Sequence, residues 1–127
     1  MQLLFRIGIG FLLVIHGFAH WQITTAWGSK PAEYSWLLSN RGLSVASLHS
    51  LGNVLWIVVL LAFIDAGIVL FVGWPWWRML AIASSVVSLL AIGLFWQPNM
   101  VIGVLVDVGI LVALLWVHWP TVEVVGA

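Results

Sequence analysis

Four apolar stretches, each long enough to cross a bilayer, take up nearly all of this 127-residue chain. A helical span needs about 20 mostly apolar residues, so four of them leave no length for a soluble catalytic module. Only 6% of the residues are charged and 64% are hydrophobic. A soluble domain carries about 25% charged residues, so the surface of this one must be solvated by lipid. The spans read as residues 3–25, 45–72, 76–96 and 100–119. Gly73-Trp74-Pro75 and Gln97-Pro98-Asn99 mark tight turns between antiparallel helices, and Pro120 stops the fourth. The expected fold is all-α: a four-transmembrane-helix up-down bundle forming a single integral membrane domain over residues 1–127. A short interfacial helix is expected in the first loop, over Ala32 to Leu38.

Arg6 ahead of an apolar run imitates a signal peptide. The run continues past Ala19 without a small-x-small cleavage site, so it reads as a retained helix. Nine tryptophans, Trp21, Trp27, Trp36, Trp74, Trp76, Trp77, Trp96, Trp116 and Trp119, fall near span ends. Amphipathic rings prefer the headgroup level there. Trp56 lies inside the second span instead. A net charge of zero without a basic run argues against nucleic acid as a partner. The absence of cysteine removes thiolate metal sites, iron–sulfur clusters and disulfide exchange.

Polar residues inside the spans are the informative ones, because ionisable groups in lipid face a bundle interior, a partner or a cofactor. At ~1.5 Å per residue from the face carrying both termini, His16 lies ~20 Å deep and Asp107 ~18 Å deep. Asn53 and Ser88 fall within a turn of that level. His20 and His49 lie one turn further on, each four residues from its neighbour (His16 and Asn53) on the same helix. His16, His20, His49, Asn53, Ser88 and Asp107 thus form a candidate intramembrane layer, a ligand site or a proton relay. Nearer the terminal face, Arg6 and Asp65 form a candidate ion pair, with His118 close to the same face.

A satisfied polar plug that sets helix register would explain such a layer. So would haem ligation, a metal ion held by imidazoles and carboxylate, or proton exchange with a quinone or a transported species. The spacing His-x-x-x-His lacks the glutamate of the zinc-protease motif, and no catalytic residue, metal or cofactor is assigned. Gly8, Gly10, Gly17, Gly67, Gly93, Gly103 and Gly109 permit close helix approach and leave little room for a pore.

The string Phe5-Arg6-Ile7-Gly8-Ile9-Gly10-Phe11-Leu12-Leu13-Val14-Ile15-His16-Gly17 resembles the first helix of DoxX-like membrane proteins. That family shows an Arg, a Gly/Phe-rich stretch and a His-Gly pair in its opening span, and has four helices. The layout is similar over nearly the whole chain, and about a dozen residues carry the specific likeness. Arg6, His16 and Gly17 are the family-like positions. The resemblance implies a small bacterial-type membrane protein, some of whose relatives accompany thiosulfate:quinone oxidoreductase or other redox systems.

Together these features favour a non-catalytic accessory or stabilising subunit of a larger membrane complex. The expected partners are the lipid bilayer and other membrane subunits, or further copies of the chain. The expected location is a bacterial cytoplasmic membrane with both termini cytoplasmic. A quinone-linked oxidoreductase subunit and a proton-coupled small transporter are the competing expectations.

Overall fold

Helix is the only structure that satisfies its own backbone within an apolar segment, and all four apolar segments are helical in the computed structural model. The structure describes the backbone of residues 1–25 and 34–127, and the side chains of residues 1–20 and 34–127. Helix α1 spans Gln2–Thr25, α2 Val45–Val72 and α3 Trp77–Leu94. Helix α4, Val101–Leu111, follows a 3-10 turn at Pro98–Met100 and continues through a π-helical turn at Val112–Trp116. A four-residue helix, α5, covers Val122–Val125. Four of these segments are long and apolar enough to cross a membrane, and the chain is an integral membrane protein of all-α, four-helix architecture.

The helix ends follow from local sequence. Ser44 caps α2 by accepting a hydrogen bond from the Ser47 backbone N–H at 3.2 Å. Gly73, at φ +84°, closes its other end, where its N–H reaches the Val69 and Leu70 carbonyls. A side chain there would meet strain as well as the Arg6 guanidinium, which lies against this residue. Both termini lie at one end of the bundle, since Gln2 Nε2 donates to the Glu123 carbonyl at 3.0 Å.

Helix α2 is the centre of the bundle, with α1 on one flank and α3 on the other; α4 packs on α3. Its inward face carries Gly52, Trp56, Val59, Phe63, Ala66 and Leu70, all buried. Two glycines set the separation of α1 from α2. A Cβ on Gly67 would lie 2.7 Å from the Gly10 carbonyl oxygen, and one on Gly17 would lie 2.9 Å from Phe63 Cβ. Bare backbone at these points lets two apolar helices touch where lipid offers no hydrophobic drive for them to associate. On α3 the inward residues between Trp77 and Ile92 are small, Ala81, Ser84, Ser85, Ser88 and Ala91, and Ser84 returns its hydroxyl to the Leu80 carbonyl at 2.6 Å.

Two sequence expectations change here. The interfacial helix expected over Ala32 to Leu38 begins outside the described residues. Within them, Tyr34 and Ser35 are irregular, residues 36–38 form a turn, and a 3-10 helix occupies Ser39–Arg41. The serines are the cause, because their hydroxyls compete for the backbone groups a helix would use. Ser35 Oγ accepts from Leu38 N at 3.2 Å, and Ser39 Oγ accepts from Ser35 N at 3.0 Å. The loop is pinned to the far end of α3 by Trp36, whose indole N–H donates to the Gly93 carbonyl at 2.6 Å. Trp77, counted with the interfacial ring of tryptophans, is instead buried in the core at the start of α3. Trp36, Trp74, Trp76, Trp96, Trp116 and Trp119 are exposed at the helix ends, while the side chains of Trp21 and Trp27 lie outside the described residues.

Candidate intramembrane site

Gly17 and Gly67 bring α1 onto α2, and that contact fixes the rotation of α1. His16 and His20, one turn apart, then face the interior, where Phe63 and Trp56 of α2 pack against them. The His16 ring meets Phe63 edge-on at 4.8 Å, and His20 stacks on Trp56 at 5.7 Å with the rings 16° apart. On the other side α4 approaches His20 at Gly103, where a Cβ would lie 2.9 Å from His20 Cε1. The aromatic walls hold both imidazoles in place, and the missing side chain at Gly103 leaves room for the second.

Four polar side chains from three helices converge between these walls. Asp107 of α4 is fully buried, its Oδ1 2.9 Å from His16 Nε2. Ser88 of α3 donates its hydroxyl to Asp107 Oδ2 at 2.6 Å. The same hydroxyl oxygen lies 3.1 Å from His20 Nε2, and the two histidine Nε2 atoms are 3.1 Å apart. His20 Nε2 stands 3.7 Å from Asp107 Oδ2. An isolated carboxylate at a helix centre costs about 2.5–3.5 kcal/mol to insert, and here two neighbours meet its two oxygens. The two imidazoles and the carboxylate each offer one ligand-type atom, and these lie within 4.8 Å of one another.

Beside this cluster is a cavity of about 60 Å³ bounded by His16, His20, Trp56, Met100, Gly103 and Val106. It lies between α1 and α4, which are linked through side chains more than through close backbone packing. Sites for organic ligands usually enclose about 300–1,000 Å³, so the cavity suits an ion and a few water molecules, not a haem or a quinone ring. The indole N–H of Trp56 is buried in this region and has no hydrogen-bond partner among the described residues.

Of the six residues expected in the layer, the structure joins His16, His20, Ser88 and Asp107. His49 and Asn53 stand apart. His49 is exposed, Asn53 is half-buried, and no hydrogen bond connects either to the cluster among the described residues. Their rotation about α2 is the reason: the inward face of α2 runs through Leu48, Gly52, Trp56 and Val59, one residue (~100°) away. The Arg6–Asp65 ion pair is likewise absent among the described residues. Asp65 is exposed on the outer face of α2, while the Arg6 guanidinium lies against Gly73 at the carbonyl end of that helix, where a cation is favoured. Arg6 Nε is left buried without a partner among the described residues. His118 is outside the cluster, in the left-handed region at φ 53° just after α4.

Sequence reasoning passed over Phe63 and did not connect Trp56 to the histidines. The signal for Trp56 was its position, the one tryptophan away from the span ends. Phe63 gave none, being one apolar residue among many.

Fold and site together define a small integral membrane protein, a four-helix bundle with a largely buried His–His–Asp–Ser cluster between its helices. Comparison of the chain with protein-family models, curated proteins and solved structures returns no match.

Proposed function

We propose that this chain is a non-catalytic integral membrane subunit that docks through the outer face of α2 onto a different membrane protein. The carrying observation is Asp65. Residues Val54, Ile57, Val58, Leu61, Ile68 and Val72 are all exposed on α2, and their spacing places them on one stripe with Asp65 at its middle. The helix is 28 residues long, about 42 Å, against a hydrocarbon core of about 30 Å. With the ~12 Å of overhang shared between the two ends, Asp65, seven residues or ~10 Å from Val72, falls inside the hydrocarbon. A carboxyl group directed at lipid is unfavourable unless a partner covers it.

A partner helix carrying a cation or a hydrogen-bond donor at that depth would satisfy Asp65. The chain's own arginines do not supply one. Arg6 lies against Gly73, Arg78 donates to the Pro120 carbonyl, and Arg41, like Lys30, falls in the sequence between α1 and α2, before the opposite end of α2 from Val72. This favours a different protein over a second copy. The DoxX-like character of α1 supports placing the subunit in a bacterial cytoplasmic membrane, alongside a redox or bioenergetic complex. We place both termini on the cytoplasmic side, where Arg6 and Arg78 then lie.

Extraction in mild detergent tests the reading. The wild-type chain should migrate in a larger assembly with a second protein, and Asp65→Leu should release it as a folded single chain. Wild-type protein extracted as a stable monomer, or an assembly indifferent to Asp65→Leu, would overturn it. An assembly made only of this chain would overturn the choice of a different protein as partner.

A further inference from the structure

We propose that His16, His20 and Asp107 bind a divalent transition-metal ion within the membrane, with Ser88 orienting the carboxylate. This goes beyond the subunit reading and does not depend on it.

The first argument is distance. Zinc–nitrogen and zinc–oxygen bonds of ~2.0–2.2 Å in a tetrahedron place ligand atoms ~3.3 Å from each other. The two Nε2 atoms here are 3.1 Å apart, His16 Nε2 is 2.9 Å from Asp107 Oδ1, and His20 Nε2 is 3.7 Å from the other carboxylate oxygen, Oδ2. One donor atom from each of the three residues lies within 4.8 Å of the others, so a small inward shift brings all three onto one ion.

The second argument is the proton count. A ring nitrogen directs either one proton or one lone pair, along one axis. His16 Nε2 faces both Asp107 Oδ1 and His20 Nε2, while His20 Nε2 faces both His16 Nε2 and Ser88 Oγ. With Ser88 donating its single proton to Asp107, the four contacts cannot all be hydrogen bonds at once. A cation between the three donors takes both nitrogen lone pairs and a carboxylate oxygen together, and Ser88 remains on the second oxygen. Such outer hydrogen bonds hold ligating carboxylates in place.

The third argument concerns the open side. Three protein ligands leave at least one coordination position, and the cavity of about 60 Å³ adjoins both imidazoles. That volume admits water molecules. Trp56, 2% exposed, also lines this cavity, and its buried indole N–H has no hydrogen-bond partner among the described residues. Two imidazoles and one carboxylate select a transition ion such as zinc, iron(II) or cobalt(II), because calcium and magnesium require mostly oxygen donors.

The test uses the full chain in detergent, purified without a histidine tag, stripped with chelator and titrated with Co²⁺ as the probe. We expect one saturable ion per chain, a visible d–d absorption band, and displacement of that band by Zn²⁺. Ser88→Ala should weaken binding about 10–100-fold, the His16→Gln/His20→Gln double variant should abolish the band, and His49→Gln should leave it unchanged. Gel filtration and helical circular dichroism establish that each variant is folded. If the double variant does not fold, the wild-type titration and its His49→Gln control decide. A monodisperse wild-type protein without a Co²⁺ band, or a band that persists in the folded double variant or vanishes in His49→Gln, would overturn the proposal.

Discussion

Ser88 shows how much one small side chain does in this bundle. Its hydroxyl joins α3 to Asp107 of α4 and lies against His20 of α1, so removing it loosens three helices at one point. Interhelical hydrogen bonds in membranes average about 0.6 kcal/mol and reach about 1.7. Ser88→Ala should cost an amount in that range, read from unfolding in a mixed detergent series. Little at this scale was hidden in the sequence where depth alone decided the matter. Counting residues from the helix ends put His16, Ser88 and Asp107 at one level, and the structure joins them. It failed for His49 because depth says nothing about rotation. Helix α2 is apolar on nearly all sides, so no contrast between faces marks which one turns inward.

At the scale of elements, the glycines divide into those that set a helix contact and those that do not. Gly67 and Gly17 sit where α1 and α2 touch, whereas a Cβ at Gly8 or Gly109 would meet nothing within 4 Å. Gly67→Val should separate α1 from α2 and destabilise the bundle by about 1–3 kcal/mol, as overpacking does. Gly109→Ala should be neutral or stabilise α4 by up to about 1 kcal/mol through helix propensity. Thermal unfolding in detergent distinguishes the two, and equal losses would contradict the packing described here. The sequence offered all these glycines as equivalent. Only the backbone arrangement separates Gly67, facing the Gly10 carbonyl, from Gly109, facing open space. The first loop was misread for a related reason: Tyr34, Trp36 and Leu37 suggested an amphipathic helix, while Ser35 and Ser39 spend the backbone's hydrogen bonds on a turn.

Over the described residues the molecule has a polar interior cluster and a largely apolar outside, with Asp65 in the exposed stripe of α2. The chain has no cysteine, so single-cysteine variants at Leu61 and Ile68, flanking Asp65 on the same stripe, can be cross-linked without background. Both should capture the partner, and a cysteine at Leu105 on α4 should not; capture from every position would mean indiscriminate contact. The four-helix layout was legible because lipid demands long apolar helices. The proposed docking face was less so, because Asp65 and Arg6 invite pairing in the sequence, whereas α2 turns Asp65 outward. The central claim, that α1 and α4 are joined across the membrane by buried polar side chains, is tested most directly by a double-mutant cycle. His16→Ala, Asp107→Ala and the double variant would be compared by unfolding in detergent. Direct contact predicts a coupling of about 0.5–3 kcal/mol, and effects that add to within about 0.3–0.5 kcal/mol would contradict it.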